Sequence, residues 1–164
     1  LPVYQDEQFR YLTEKLNGYI TGAYIYNKMG LTEQVATTIT IATPNPVRRF
    51  RFKNLDIECV KAYCMVYPDE SLVPYLRLLD AIKDMKRIPG TTGQDIYNRV
   101  KSQYFNGYSL PELEKIVSLA KSYPPRVRKV VADILGDIRQ TVLQTEMAKT
   151  ILPTTRFNLD YKTA

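Results

Sequence analysis

Three groups of residues have the types and spacing to do chemistry. The first joins Pro68-Asp69 to a downstream Asp84-Met85-Lys86, the acid followed by acid-x-Lys with which metal-dependent nucleases hold Mg²⁺ and activate water. In such sites the second acid and its lysine share one face of a strand. Here the segment falls in a helical pattern, where residues two apart point about 200° away from each other, so a solvated, ion-paired helix face is expected and no catalytic role. The second group is Arg48, Arg49, Arg51 and Lys53, interleaved with Phe50 and Phe52, a composition suited to a single-stranded nucleic-acid platform. The third, Arg126-Val127-Arg128-Lys129, sets three cations in the first turns of a helix, where each opposes the positive end of the helix dipole by about 0.3 to 1 kcal/mol.

A helix start that carries added cations can receive a phosphate or a carboxylate. Arg126, Arg128 and Lys129 are therefore expected to form an anion-accepting patch for an acidic partner or a nucleic-acid backbone, and their exchange for glutamine is expected to leave stability unchanged or slightly raised. Lys129 also has Asp133 within i,i+4 reach, and arginines can simply cover apolar surface. In the second group, Arg48 and Lys53 are the expected binding cations, because Arg49 and Arg51 have acidic partners in the register derived below.

Composition narrows the chemistry further. The chain has no histidine, which removes the commonest general base and the commonest metal ligand and excludes zinc chemistry and Ser-His or Cys-His catalysis. No enzymatic activity, metal or cofactor is expected. Cys59 and Cys64 are too few for a disulfide framework and read as buried, reduced thiols. The net charge of +6 suits nucleic acid, an acidic protein partner or simple solubility. No apolar run approaches the roughly 18 residues of a membrane helix, and no targeting segment opens the chain, so a cytoplasmic protein without membrane contact is expected. At 164 residues, 45% hydrophobic and 24% charged, the chain reads as one domain, residues 1–164.

Phe9, Leu12 and Leu16 recur at helical spacing from Asp6 to Leu16, and Asn17-Gly18 closes that helix. Thr21 stands where the N-cap of a second helix belongs, from about Gly22 to Met29, with Tyr24, Ile25 and Met29 on its inner side. Gly30 supplies its left-handed end, with Leu31 behind it. The period then changes to two at Thr37-Thr38-Ile39-Thr40-Ile41, Pro44-Asn45-Pro46 forces a turn, and a strand follows from Val47 to Phe52. If Lys53-Asn54 is a two-residue hairpin turn, Phe52 faces Leu55, Arg51 faces Asp56, Phe50 faces Ile57 and Arg49 faces Glu58. A slip by one residue would set phenylalanines against carboxylates. Lys53 is poorly suited to the positive φ of such a turn, which leaves a longer bulged loop as the alternative. A last strand through Ala62 to Tyr67 completes a small sheet over Thr37 to Val66.

The remainder is helical. Leu72, Tyr75, Leu76, Leu79 and Ile82 form a stripe opposed by Arg77, Asp80, Asp84 and Arg87, and Pro89-Gly90 ends it. Thr91 with Gln94, then Ser109 with Glu112, make capping boxes for two more helices. The first runs through Ile96, Val100 and Tyr104, the second carries Leu113, Ile116, Val117 and Ala120 inward. A long final helix holds Val127, Val130, Val131, Ile134 and Ile138, with Gly136 as a weak point, and helix is expected to about Thr145; the tail after about residue 146 is expected to be weakly ordered. The fold class is α+β: a small, mainly antiparallel sheet with an N-terminal helical pair and a C-terminal helical cluster. Among the 13 tyrosines, Tyr24, Tyr75, Tyr97 and Tyr104 are expected in the core and Tyr63, Tyr67 and Tyr108 at a contact with another chain.

The run Tyr19-Ile20-Thr21-Gly22-Ala23-Tyr24-Ile25-Tyr26-Asn27-Lys28-Met29-Gly30-Leu31-Thr32-Glu33-Gln34-Val35, with Ile39 to Ala42 after it, resembles the C-terminal domain of AbiEi-type proteins. These are bacterial transcriptional regulators that serve as antitoxins in abortive-infection, type IV toxin–antitoxin systems. Leu78-Leu79-Asp80-Ala81-Ile82-Lys83-Asp84-Met85-Lys86-Arg87-Ile88-Pro89 and Lys121-Ser122-Tyr123-Pro124-Pro125-Arg126-Val127-Arg128 fit the same family, so the resemblance spans about Tyr19 to Gly136. It implies a non-enzymatic interaction domain that counteracts a cognate, nucleotidyltransferase-like toxin. Proteins of that family carry a winged-helix domain ahead of this region that represses the operon through operator DNA. The chain opens at Leu1-Pro2 without an initiator methionine, so that domain is expected to be missing from it. The alternative is a nucleic-acid-binding domain that uses the basic residues around Arg48 and Arg126.

Overall fold

The computed structural model describes residues 3–45, 48–64, 69–157 and 161. Its backbone divides into two compact units, residues 1–77 and 78–164, where length alone suggests one domain. The fold is α+β, with seven α-helices and one four-stranded sheet among the described residues.

The first unit is organised by the sheet. Strands β1 (Tyr19–Thr21), β2 (Thr38–Thr43), β3 (Arg49–Phe52) and β4 (Leu55–Lys61) lie in the order β1-β2-β4-β3. The two outer pairings are antiparallel and the central pair, β2 with β4, is parallel. The hairpin register is the one that the charge and apolar alternation demands: Arg49 opposite Glu58, Phe50 opposite Ile57, Arg51 opposite Asp56, Phe52 opposite Leu55. Lys53 takes the left-handed conformation at φ 55°, so the two-residue turn forms despite its side chain and the bulged alternative is not used. One sheet face carries Ile20, Ile39, Ile41, Ile57 and Cys59, packed with Phe9, Leu12 and Leu16 of helix α1 (Val3–Leu16) and Ile25 of helix α2 (Ala23–Lys28).

Both helix ends in this unit follow from backbone geometry. At the end of α1, Asn17 adopts φ 52°, its N–H donates to the Glu14 carbonyl, and the Gly18 N–H donates to the Thr13 carbonyl. At the end of α2, Gly30 at φ 76° does the same, with its own N–H on the Asn27 carbonyl and the Leu31 N–H on that of Tyr26. The start of α2 corrects the expected N-cap. Thr21 belongs to β1, a strand that the helical reading passed over, and Gly22 is the cap, at φ 78° with no side-chain bond. Only glycine fits there, because a Cβ would meet Thr40 at 2.6 Å as well as an unfavourable φ. The expected last strand is also corrected: β4 ends at Lys61, Ala62 to Cys64 is not strand, and Met65 to Tyr67 lie outside the described residues. So do Val47, Val66, Pro46 and Pro68.

Helix α3 (Val73–Lys83), preceded by a 3-10 turn at Glu70–Leu72, runs across the boundary between the units. The second unit then packs α4 (Gly93–Gln103), α5 (Leu110–Ala120), α6 (Pro125–Asp137) and α7 (Thr141–Ala148). The Ser109 capping box is present in both directions, with the Glu112 N–H on Ser109 Oγ at 3.3 Å and the Ser109 N–H on Glu112 Oε1 at 3.2 Å. The cap of α4 lies one residue later than expected, at Thr92, which accepts the Asp95 N–H. The expected long helix breaks in two. Arg139 adopts φ 66° after Ile138, whereas Gly136 stays helical, with the end of the flexible Gln144 side chain of α7 2.5 Å from where a Cβ would stand. Met147 and Tyr161 are buried in the segment whose amphipathic signal fades. No helix of the described residues is long and apolar enough to cross a membrane.

Candidate functional site

The exposed face of the β3–β4 hairpin gathers the charges of the second group. Arg49 lies 3.3 Å from Glu58 and Arg51 lies 3.2 Å from Asp56, on the side of the sheet away from the core. Phe50 and Phe52 point the other way and are half-buried against the apolar cluster. Arg48 and Lys53 have no carboxylate partner among the described contacts. Instead the Arg48 guanidinium lies 4.9 Å from the Phe50 ring centre and the Lys53 ammonium 5.7 Å from that of Phe52. Helix α1 extends this row: Tyr11, about half exposed, stacks on Phe52 at 5.4 Å, and Lys15 sits 5.6 Å from the Tyr11 ring. A shallow cavity of about 480 Å³ lies here, lined by Glu7, Gln8, Tyr11, Phe52 and Lys53. Arg48 and Lys53 are thus brought to one edge of the sheet, as their sequence spacing suggests. The contribution of Tyr11 and Lys15 comes from another element and has no local signal in the hairpin.

A second cleft in this unit, about 560 Å³, mixes Arg10 and Arg77 with Glu14 and Glu70 and so presents no single sign of charge. Arg77 donates its Nε–H to the Ile20 carbonyl at 2.8 Å, which satisfies the outer side of β1.

The cations at the start of α6 are engaged inside the second unit. Arg126 donates to the Lys83 carbonyl at the end of α3, Arg128 donates to the carbonyls of Tyr123, at 3.0 Å, and Thr150, and Lys129 bonds Asp133 at 2.9 Å. The expected effect of replacing them changes sign on this geometry. Cations that satisfy carbonyls at helix ends contribute more, about 1.5 to 3 kcal/mol for a charged hydrogen bond, than they lose against the helix dipole.

The nuclease-like residues are likewise placed otherwise than expected. Asp69 caps the 3-10 turn by accepting the Ser71 N–H at 3.0 Å, and Asp69 and Asp84 fall in different units. Asp84-Met85-Lys86 lies in the turn after α3 and not within the helix, with Met85 buried. Asp80, expected on a solvated face, is buried and accepts the Tyr123 hydroxyl at 2.7 Å.

Two further carboxylates of α6 receive tyrosine hydroxyls. Tyr161 donates to Asp133 at 2.7 Å and Tyr97 donates to Asp137 at 2.6 Å, while the two rings stack at 5.1 Å. Burial, and then the neighbouring Asp137 carboxylate, push the Tyr97 hydroxyl far above the ordinary tyrosine range. Of the four tyrosines expected in the core, only Tyr97 is fully buried; Tyr19, Tyr26, Tyr123 and Tyr161 join it. Tyr63 is half-buried beneath Lys61, Tyr108 is half-buried beside Phe105, and Tyr67 lies outside the described residues. Cys59 is buried and Cys64 half-buried, and neither is in a disulfide; burial raises the Cys59 thiol above its ordinary value.

In comparisons with known proteins, no family model, no curated protein and no solved structure matches this chain.

Proposed function

We propose that this chain is the non-enzymatic interaction domain of an AbiEi-type antitoxin, acting in the cytoplasm against a nucleotidyltransferase-like toxin. The observation that supports the reading is the structure of the run that carries the resemblance. Tyr19 to Leu31 forms β1, α2 and the turn between them, and its demanding positions hold the residues that the backbone requires: Gly22 at φ 78° against Thr40, Gly30 at φ 76°, and Leu31 fully buried behind it. A resemblance carried by such positions is one of backbone and core, which is the kind that accompanies a shared fold. Four aspartates of the chain also have structural employment: Asp69 caps a turn and Asp80, Asp133 and Asp137 hold tyrosine hydroxyls. Operator binding would belong to a winged-helix domain of the kind that the resembled family carries ahead of this region.

Co-expression with a nucleotidyltransferase-like toxin, sought in the gene beside this one, tests the reading. Growth should be restored when the folded chain is present, and no nucleic acid should be cleaved by the chain alone. Continued growth arrest in the presence of soluble, folded chain would sink the proposal.

A further inference from the structure

The outer edge of β3 has a definite chemistry. Among the described residues β3 pairs with β4 alone. The Cys59 N–H donates to the Arg48 carbonyl at 2.8 Å, and in an antiparallel pair the residues that exchange backbone bonds alternate along each strand. Arg48, Phe50 and Phe52 therefore direct their N–H and C=O groups at β4. Arg49 and Arg51 direct theirs outward, to the open edge.

The side chains of the same two residues are 77% and 68% exposed. Their ion pairs with Glu58 and Asp56 are of the surface kind, weak and readily exchanged for other carboxylates. From residue 48 to 61 the hairpin holds five cations against two carboxylates. An open edge with two backbone donors, two acceptors and a surplus of positive charge is matched by a strand of opposite sign.

We propose that this edge receives an extended acidic segment of a partner protein, which joins the sheet as a fifth strand beside β3. Main-chain bonds to Arg49 and Arg51 hold the segment, and carboxylates two residues apart on it face the two guanidinium groups, since alternate residues of a strand share a face. A second copy of this chain does not fit, because β3 against β3 would oppose Arg49 and Arg51 to arginines. A nucleic-acid strand fits less well than a peptide. It offers no backbone ladder, and the rings that its bases would stack on are already covered, Phe50 by Arg48 and Phe52 by Tyr11 and Lys53. Only the identity of the partner rests on the reading of the chain as an antitoxin domain.

Two capped eight-residue peptides decide the matter, one alternating threonine with glutamate and the other threonine with lysine, added while amide exchange is followed residue by residue. The glutamate peptide should slow exchange at Arg49 and Arg51 by about tenfold or more at saturation, and the lysine peptide should not. Binding should weaken about tenfold in the double variant Arg49→Gln, Arg51→Gln, which keeps the strand backbone. Arg51→Pro removes an outward N–H without touching the β3–β4 ladder and should abolish the protection; if it does not fold, the glutamine variant carries the test. The proposal is overturned if the glutamate peptide gives no protection, if a twelve-residue oligothymidylate protects these amides in its place, or if they are already protected in a concentration-dependent way. In the co-expression assay, a glutamine variant that still restores growth would remove the edge as the docking place and leave the antitoxin reading intact. Arrested growth with the original chain, together with a positive peptide result, would do the reverse.

Discussion

The two units handle charge in opposite ways. On the sheet, Arg49, Arg51, Asp56 and Glu58 meet across strands in water, and each pair leaves its backbone surroundings unchanged. Among the helices, Asp80, Asp133, Arg126 and Arg128 sit wholly or partly out of solvent and bond to tyrosine hydroxyls and main-chain carbonyls. The residue types are the same, but the consequence of losing one is not. A surface pair loses little because water replaces the partner; a buried group leaves its partner without one.

The largest effects separate the units by what stands next to a glycine. A Cβ at Gly18 would lie 2.2 Å from the Ala42 carbonyl oxygen, which is backbone and cannot move aside, whereas one at Gly136 would lie 2.5 Å from the end of the flexible Gln144 side chain. In urea denaturation Gly18→Ala should lose more than about 3 kcal/mol. Gly136→Ala should stay within about 1 kcal/mol of the original, since alanine's helix preference offsets the displacement of Gln144. Equal losses at the two sites would break the contrast.

Next come the carboxylates. Asp133, with its side chain 10% exposed, accepts from both Tyr161 and Lys129, so Asp133→Ala should lose about 2 to 4 kcal/mol. Asp56, 54% exposed, should lose less than about 1 kcal/mol in the same change. Arg128→Gln should follow Asp133 and destabilise, and a neutral result there would return the start of α6 to the role of a binding patch.

Two residues should behave alike wherever they sit. Lys53 on the hairpin and Arg139 after α6 both adopt positive φ, at 55° and 66°, a conformation that costs an ordinary side chain roughly 1 to 2 kcal/mol. Replacing either with glycine should raise stability by up to about 1 kcal/mol after the entropy that glycine adds to the unfolded chain, seen as a higher denaturation midpoint. A gain at one and a loss at the other would show that the side chain itself contributes contacts.

The smallest effect is confined to alkaline solution. Because the folded Tyr97 hydroxyl resists ionisation, the unfolded chain releases its proton first. Tyr97 therefore contributes stability that is complete below the unfolded value of about 10 and declines as the pH rises above it. Tyr97→Phe should flatten that part of the pH profile, and an unchanged slope would place the titration elsewhere.

Much of the first unit, and the start of α5 in the second, was legible because the signals are local. The hairpin register is specified by charge and apolar alternation within ten residues, and Gly30 and Ser109 announce the helix ends within one turn of themselves. Arg48 and Lys53 could be singled out for the same reason. The strand at Tyr19–Thr21 was not legible, because three residues ahead of a helix read equally well as its first turn until Thr40 to Ala42 are brought beside them.

By itself, then, the sequence determined the alternation of the hairpin, the inward faces of the helices and most of their ends, all of which depend on residues a few positions apart. Only the tertiary structure decided the parallel pairing of β2 with β4, the descent of Asp80 from an expected surface into the core, and the carbonyls that occupy Arg126 and Arg128. The physical reason is range. An arginine or aspartate leaving water must find a partner, and its type states that need, but the acceptors and donors here lie up to 43 residues away along the chain and are chosen by packing.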